Sequence, residues 1–211
     1  IMKLYYNEND IEVGIDEVAR GCLLGRVYTS AVIWNKENDD EHQHPLMKDS
    51  KQIKKGDREE MAEYIKNCAL DYSITYNDET KIDEMNILNA TIDSMHKSLD
   101  GLNISVDNIL VDGNRFKPYS DKNDNYVPHI CIEKGDTKYY SIAAASILAK
   151  VEHDKYIKQL CLDYPELQER YDLLSNMGYG TKNHINGIKK YGISKFHRKT
   201  FGICKNYNIS K

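Results

Sequence analysis

The sequence has few of the residues that define fibrous, membrane-spanning or disulfide-bonded proteins. Its 211 residues include only 12 Gly and 4 Pro, too few for a collagen-like or proline-rich chain, and no apolar run approaches the ~20 residues of a membrane-spanning helix. The five cysteines contain no C-x-x-C pair, which argues against a disulfide framework or a thiolate zinc site. We therefore expect one compact, soluble protein from a reducing, cytoplasmic compartment, without membrane contact.

Charge is unevenly distributed along the chain. The formal net charge is −4, but the chain from Lys182 onward has eight basic residues and no acidic one, which leaves −12 for residues 1–181. Such asymmetry is typical of a protein with a polyanion-binding surface beside an acidic, cation-binding one. On charge alone, a solvated basic terminus explains the same pattern equally well.

The apolar pattern predicts an α/β fold in which helices flank a mixed sheet. Two stretches rich in Val, Ile and Tyr predict an opening β-hairpin, and later stretches alternate between strand and helix periodicity. The predicted strands are 11–18, 26–34, 72–76, 109–111 and 127–132. The predicted helices are one that begins at a capping box formed by Asp57 and Glu60, one over 80–99, and one over 141–162 that Pro165 closes.

We divide the chain into a larger domain at 1–175 and a small, basic, helical C-terminal segment at 176–211 that packs on it. The polar stretch 35–44 is predicted to be a surface loop.

Acidic residues stand at, or directly after, the ends of three apolar runs. They are Asp16 with Glu17, Asp112, and Asp136. Ends of neighbouring strands converge in space, and buried carboxylates are so costly to desolvate that they need a cation or a proton. Oxygen ligands without nearby His or Cys favour Mg²⁺ or Mn²⁺. Taken singly, each acid would more often be a surface or turn residue, and three such strand ends together favour a metal site.

One geometric point bears on this group. Consecutive side chains of a regular strand point to opposite faces, so Asp16 and Glu17 cannot both face inward in ideal geometry. Either the strand is distorted there, or Glu17 contributes its main-chain carbonyl or reaches the ion from the end of the strand.

Several short segments occur in an order that is specific to one protein family. In chain order they are 14–21 (GIDEVARG), 48–51 (KDSK), 111–114 (VDGN), 134–136 (KGD), 141–151 (SIAAASILAKV), 178–184 (GYGTKNH) and 197–201 (HRKTF). Together they resemble the type 2 ribonucleases H, most closely the ribonuclease HII family. One such segment alone would be weak, but the ordered series covers nearly the whole chain.

This resemblance implies a ribonuclease H-like fold and a metal-dependent endoribonuclease. Its metal ligands would be Asp16, Glu17, Asp112 and Asp136, holding two Mg²⁺ or Mn²⁺ ions about 4 Å apart that activate water for in-line attack. The implied reaction hydrolyses the RNA strand of RNA/DNA hybrids and cuts 5′ of ribonucleotides embedded in duplex DNA, leaving 3′-hydroxyl and 5′-phosphate ends. Asp154 lies 18 residues after Asp136, and we expect it beside the site rather than among the ligands.

The resemblance also implies how substrate is recognised. The ribose 2′-hydroxyl would contact the backbone of Ala19, Arg20 and Gly21 and the side chain of Tyr179, which would also stack on the next sugar. A packing anchor is the alternative role for Tyr179. Ala19 stands where the family has glycine, so a positive φ there would cost energy or change the turn, and would affect discrimination between one ribonucleotide and longer RNA.

Basic residues are expected to contact the duplex backbone without sequence preference. The expected contacts are Lys51, Lys182, His184, Lys189, Lys190, Arg198 and Lys199.

Two other functions stay open at this point. One is a catalytically silent module that binds RNA/DNA hybrids. The presence of all four acids argues against this function. The other is a different ribonuclease H-fold nuclease or transposase, which would cut all-DNA duplexes. For the enzyme itself we expect a monomer whose partners are RNA/DNA hybrids and ribonucleotide-containing duplex DNA.

Overall fold

A computed structural model describes residues 2–37 and 53–210, and its centre is a mixed β-sheet. The strands are β1 Glu12–Val18, β2 Val27–Ile33, β3 Asp71–Asn77, β4 Asn108–Asp112, β5 Tyr119–Ser120, β6 Tyr126–Val127 and β7 His129–Ile132. Five of them form one sheet in the order β3-β2-β1-β4-β7, and β5 and β6 form a separate ribbon. Strand β1 is antiparallel to β2 and parallel to β4, and β4 is parallel to β7.

Helices cover both faces of this sheet. They are α1 Lys55–Cys68, α2 Glu79–Met85, α3 Ile87–Asp100, α4 Tyr140–Asp163, α5 Pro165–Tyr171, α6 Leu173–Asn176 and α7 Lys182–Tyr191. On one face, Val32 of β2 packs with buried residues of α1 and α4. On the other face, Ile15 of β1 packs with Met95 and Leu99 of α3. The expected α/β architecture, a mixed sheet flanked by helices, is confirmed.

Helix α4 is the longest helix of the described residues and the one nearest the predicted site. Its first half is almost completely buried because Ala143, Ala144 and Ala145 lie in succession, so that small side chains face the sheet and α1 alike. The sequence prediction of one helix over 141–162 is confirmed. None of the helices in residues 2–37 and 53–210 has the length and apolar character that crossing a bilayer requires.

Three local predictions are wrong. The helix predicted over 80–99 is two helices, because Asn86 has φ +68° and its side chain accepts the Asn89 N–H to begin α3. Helix α1 begins before Asp57, after Lys54, which makes no side-chain cap, so Asp57 lies in the first turn instead of capping it. The strand predicted over 127–132 is interrupted at Pro128, which lacks the N–H that a continuous ladder needs.

The basic C-terminal segment shares a core with the rest of the chain. Ile188, Ile193 and Cys204 pack with Leu24, which precedes β2, and with Ile157 of α4. An isolated antiparallel β-bridge pairs Leu24 with His197, and the Arg198 backbone N–H donates to the Leu23 carbonyl. The segment from residue 176 therefore lies against the loop between β1 and β2. The division at residue 175 stays a prediction.

Candidate active site

Two parallel strands bring the first and third predicted acids together. Ile15 of β1 pairs with Val111 of β4, so that the next residues, Asp16 and Asp112, lie side by side at the carboxyl ends of their strands. One carboxylate oxygen from each of Asp16, Glu17 and Asp112 lies within 4.8 Å of the other two. Three acids that are up to 96 residues apart in the chain thus form one cluster.

Glu17 joins this cluster with its side chain. Its backbone N–H donates to Asp16 Oδ1 at 2.7 Å, and its carboxylate lies 3.6 Å from the guanidinium of Arg20. Glu17 is the second-last residue of β1, still paired with β2 but beyond the last residue that pairs with β4. The side-chain carboxylate of Glu17, and not only its main-chain carbonyl, is therefore close to the other two acids.

Asp136 completes the group from a different element. It lies in a 3-10 turn, Gly135–Thr137, that begins three residues after the end of β7. Its backbone N–H donates to Asp112 Oδ1 at 3.3 Å, and its side chain is 8% exposed. Asp136 and Glu17 line the same cleft of about 280 Å³. The fourth acid therefore borders the three-carboxylate cluster and faces the cleft beside it.

Burial and mutual repulsion disfavour ionisation of this cluster. Burial first, and then the charges of Glu17 and Asp112, raise the pKa of Asp16 well above its usual range. Burial also raises the pKa of Glu17, and burial with the charge of Asp136 raises the pKa of Asp112. Carboxylates held this close need a cation when they are ionised. Their donor set is all oxygen, which fits Mg²⁺ or Mn²⁺.

The cleft also contains two basic residues that the charge pattern of the sequence does not point to. Arg58 of α1 and Lys150 of α4 line it together with Glu17 and Asp136. Lys150 Nζ donates to Asp154 Oδ1 at 2.8 Å. Burial opposes ionisation of Asp154, but its neighbours His153 and Lys150 outweigh burial and lower its pKa. Asp154 is thus paired with Lys150 and is not one of the three acids whose carboxylate oxygens cluster. The i, i+4 spacing of Lys150 and Asp154 was a signal that could have predicted this pair.

The turn 19–21 and Tyr179, which are predicted to contact the ribose 2′-hydroxyl, lie close to each other. Ala19 has φ +71°, so the alanine that replaces the family's glycine does adopt the left-handed conformation. A Cβ added to Gly21 would lie 3.8 Å from the Tyr179 ring. Burial raises the pKa of Tyr179 to about 12, so its hydroxyl keeps its proton at neutral pH and can donate a hydrogen bond. Its side chain remains partly exposed, at 38%.

Two of the basic residues expected to contact a duplex lie inside the protein. Arg198 and His184 are both fully buried, so neither can reach a phosphate backbone, and the prediction that they contact a duplex is wrong. They lie in a basic stretch of sequence that is typical of a solvated surface. In the structure, however, they hydrogen-bond backbone carbonyls of the protein. The other expected contacts in the tail, Lys182, Lys189, Lys190 and Lys199, are exposed. Lys51 and the rest of 48–51 lie outside the described residues.

The sheet order, with acids gathered at the ends of adjacent parallel strands, defines a ribonuclease H-like fold with an acidic centre. The family model described as Ribonuclease HII matches residues 13–204. The chain belongs to the ribonuclease HII family. It is therefore an endoribonuclease of a family that acts on RNA/DNA hybrids.

Individual relatives and solved structures agree with this assignment. Ribonuclease HII of Phocaeicola vulgatus is 43% identical over 199 residues, covering 94% of this chain and 92% of that protein. Ribonuclease HII of Christiangramia forsetii is also 43% identical, covering 94% of each chain. The ribonuclease H2 structure from Pyrococcus horikoshii has a TM-score of 0.75 and 25% identity over 92% of this chain and 95% of that one. A structure of Bst-RNase HIII in complex with Mn²⁺ shares the fold, with a TM-score of 0.62 and 16% identity over 92% of this chain and 68% of that one.

Proposed function

We propose that this enzyme uses two Mg²⁺ or Mn²⁺ ions, held by Asp16, Glu17, Asp112 and Asp136, to cut the RNA strand of hybrids and to cut 5′ of ribonucleotides embedded in duplex DNA. The products are 3′-hydroxyl and 5′-phosphate ends. The single observation that carries the proposal is the convergence of acids from β1, β4 and the turn after β7 on one cleft. The Mn²⁺ complex of Bst-RNase HIII supports the choice of ions.

The protein's own residues explain how such a site would work. Asp16, Glu17 and Asp112 would supply oxygen ligands from β1 and β4, and Asp136 would supply another from the turn after β7. When bound, the ions supply Lewis-acid activation of water and of the leaving 3′-oxygen. Lys150 and Arg58 place positive charge along the same cleft, where the phosphate chain of a substrate would enter.

Recognition of the ribose falls to the turn and the loop that face each other beside the acids. The Tyr179 hydroxyl, protonated at neutral pH, can donate to a 2′-hydroxyl, and its exposed ring can stack on a sugar. Arg20 lies in the turn and its guanidinium is 3.6 Å from Glu17, so the turn and the acid cluster are neighbours. Backbone groups of Ala19, Arg20 and Gly21 supply the remaining contacts. Lys51, Lys182 and the exposed lysines of the tail contact the duplex backbone in this proposal.

Three duplexes of one sequence test the proposal. One contains a single ribonucleotide, one is an RNA/DNA hybrid, and one is all DNA. We expect cleavage of the first two in Mg²⁺ or Mn²⁺ and none in EDTA, with the single-ribonucleotide duplex cut at its 5′ side. The products should be extended by a DNA polymerase and joined by a DNA ligase, which require 3′-hydroxyl and 5′-phosphate ends respectively. Cutting of the all-DNA duplex, or cutting in EDTA, would contradict the proposal.

A further inference from the structure

The fully buried side chain of Arg198 contacts the turn 19–21 from the protein interior. Its Nε donates to the Gly25 carbonyl at 2.9 Å, Nη1 to the Arg20 carbonyl at 2.9 Å, and Nη2 to the Ala19 carbonyl at 2.8 Å. Among residues 2–37 and 53–210, no carboxylate oxygen lies within 4.0 Å of this guanidinium. An apolar side chain would fill this position at lower desolvation cost. The role of the buried guanidinium is therefore to orient three backbone carbonyl groups.

Fixing those carbonyls also fixes the opposite sides of the same peptide groups. A trans peptide is planar, so the carbonyl of one residue and the N–H of the next point in opposite directions. Because Arg198 draws the carbonyls of Ala19 and Arg20 inward, the N–H groups of Arg20 and Gly21 are directed away from it. Arg20 and Gly21 are both exposed. Arg198 thus determines the direction of the backbone donors on the outer side of the turn.

His197, the neighbour of Arg198 in the chain, is connected to the opposite loop. The Ser194 N–H donates to His197 Nδ1 at 2.8 Å, so neutral His197 carries its proton on Nε2. That atom lies 2.9 Å from His184 Nε2. His184 Nδ1 lies 2.9 Å from the Tyr179 carbonyl oxygen, which can only accept. These partners define one chain of neutral tautomers, from the Ser194 N–H through both rings to the Tyr179 backbone.

We infer that His197 and Arg198 are positioning residues for ribonucleotide recognition: Arg198 orients the peptide groups of turn 19–21, and His197, through His184, holds the backbone of Tyr179. Two adjacent residues thereby set the relative placement of the two elements that contact the 2′-hydroxyl. Neither side chain belongs to the acid cluster, and both are fully buried away from the surface that a duplex would contact. The inference rests on the proposed function, since it concerns the same recognition surface.

Substitutions at Arg198 provide the first test. Arg198→Lys keeps the charge but cannot reach three carbonyls, and Arg198→Met removes every donor. We expect kcat/KM on the single-ribonucleotide duplex to fall at least about 10-fold in Arg198→Lys and further in Arg198→Met. The dissociation constant for the all-DNA duplex and the affinity for Mn²⁺ should each stay within twofold of wild type. Folded variants with unchanged kcat/KM would overturn the inference, as would equal losses in cleavage, all-DNA binding and Mn²⁺ affinity.

Tyr171→Phe is the matched control for loss of stability. Tyr171 is fully buried against both histidine rings, and its hydroxyl donates to the Gly192 carbonyl at 2.7 Å, away from both recognition elements. We expect this variant to unfold at lower urea concentration while kcat/KM stays within twofold. A loss of kcat/KM as large as that of Arg198→Lys would show that destabilisation alone explains the Arg198 result.

The wild-type protein supplies a test that requires no folded variant. Nitrogen-15 NMR at pH 7 should show His197 with its proton on Nε2 and His184 with its proton on Nδ1. In EDTA, adding the single-ribonucleotide duplex should shift the His184 Nδ1 signal, and adding the all-DNA duplex should not. The opposite tautomers, or equal shifts with both duplexes, would overturn the His197 half of the inference. A wild-type protein that cuts no ribonucleotide duplex would instead contradict the proposed function.

Discussion

The backbone of Gly14 lies directly against the backbone of Ser141. A Cβ added to Gly14 would lie 2.4 Å from the Ser141 carbonyl carbon and 2.5 Å from the Ile142 nitrogen. Gly14 is the second residue before Asp16 on the same strand, and Ser141 lies in the first turn of α4. Because side chains alternate along a strand, Gly14 and Asp16 face the same side of the sheet. The absence of a side chain at Gly14 therefore lets α4 approach the strand that carries the acids.

Gly14→Ala should destabilise the protein strongly, because the new methyl group meets backbone atoms that cannot rotate away. We expect a loss of about 3 kcal/mol in the free energy of unfolding, at the upper end of overpacking costs. Urea unfolding followed by circular dichroism measures it. The control is Gly56→Ala in α1, where an added Cβ has no neighbour within 4 Å and should stabilise by up to about 1 kcal/mol. Similar effects from both substitutions would contradict the close approach.

Asp112→Asn should remove catalysis but leave hybrid binding nearly intact. The substitution deletes an ionised oxygen from the cluster and no contact with phosphate. We expect kcat to fall about 10³-fold, which corresponds to about 4 kcal/mol of transition-state stabilisation. The rise in melting temperature on adding Mn²⁺ should also disappear, since a bound ion stabilises only the folded state that holds it.

The control for this substitution is Asp163→Asn, which changes an exposed acid at the end of α4. It should keep wild-type kcat and the wild-type response to Mn²⁺. An Asp112→Asn protein that still cuts while its affinity for the hybrid is lost would show that Asp112 contacts substrate instead of metal.

The acids were predictable from the sequence because they follow apolar strand runs, and parallel strands place their carboxyl ends together. The register that brings Asp16 beside Asp112 follows from that rule. The position of the Glu17 side chain did not follow, because it depends on where the pairing of β1 with β4 ends. Asn86 was missed because its two neighbouring helices share one apolar periodicity, and only its positive φ separates them.

The positions of Arg198 and His184 could not be predicted from local pattern. Each lies in a stretch without acids, which is typical of a solvated basic surface. The carbonyls that Arg198 binds are more than 170 residues away in the chain, so only the fold brings them together. A buried arginine differs from a surface arginine in the groups that it hydrogen-bonds. For Arg198 those groups are distant in the sequence, so local pattern does not reveal them.

Tyr179→Ala should reduce cleavage at a single ribonucleotide more than it reduces binding. The ring and its hydroxyl act at the ribose, whereas most duplex affinity comes from sequence-independent phosphate contacts. We expect kcat to fall about 10-fold to 100-fold, in line with about 1–3 kcal/mol for stacking, with the dissociation constant changed less than threefold. Tyr179→Phe should show the part of this loss that belongs to the hydroxyl.

Tyr191→Ala is the control for Tyr179→Ala, since Tyr191 is also 38% exposed but lies at the end of α7. It should cut at the wild-type rate. An unchanged rate in Tyr179→Ala would assign Tyr179 to packing instead of recognition.

Replacing Lys189 and Lys190 by Gln should flatten the salt dependence of duplex affinity. Each lysine that contacts a phosphate contributes about 0.9 to the slope of log K against log salt concentration. We therefore expect the double variant to lose between about 1 and 2 from the slope, measured by fluorescence anisotropy with the all-DNA duplex. Lys81→Gln with Lys122→Gln removes the same charge from exposed positions that we assign no duplex contact. Equal slopes in both double variants would place the duplex away from α7.

The buried histidine pair should make the protein sensitive to acid. Burial, and then repulsion from His184, lower the pKa of His197 to about 3, whereas the unfolded chain has an ordinary histidine pKa near 6.5. Between these values the unfolded state binds more protons, so stability from neutral His197 is complete above about pH 6.5 and is lost as pH falls toward 3.

This difference in proton binding should contribute a slope of up to about 1.4 kcal/mol per pH unit. Urea unfolding at several values between pH 7.5 and 4.5 measures it as the difference between wild type and His197→Gln, so that carboxylates common to both cancel. His197→Gln should be less stable than wild type at pH 7.5, because it loses the ring that receives the Ser194 N–H, but its stability should fall less steeply with acid. Parallel curves would mean that His197 binds protons equally in the folded and unfolded states, which would contradict a lowered pKa in the folded protein.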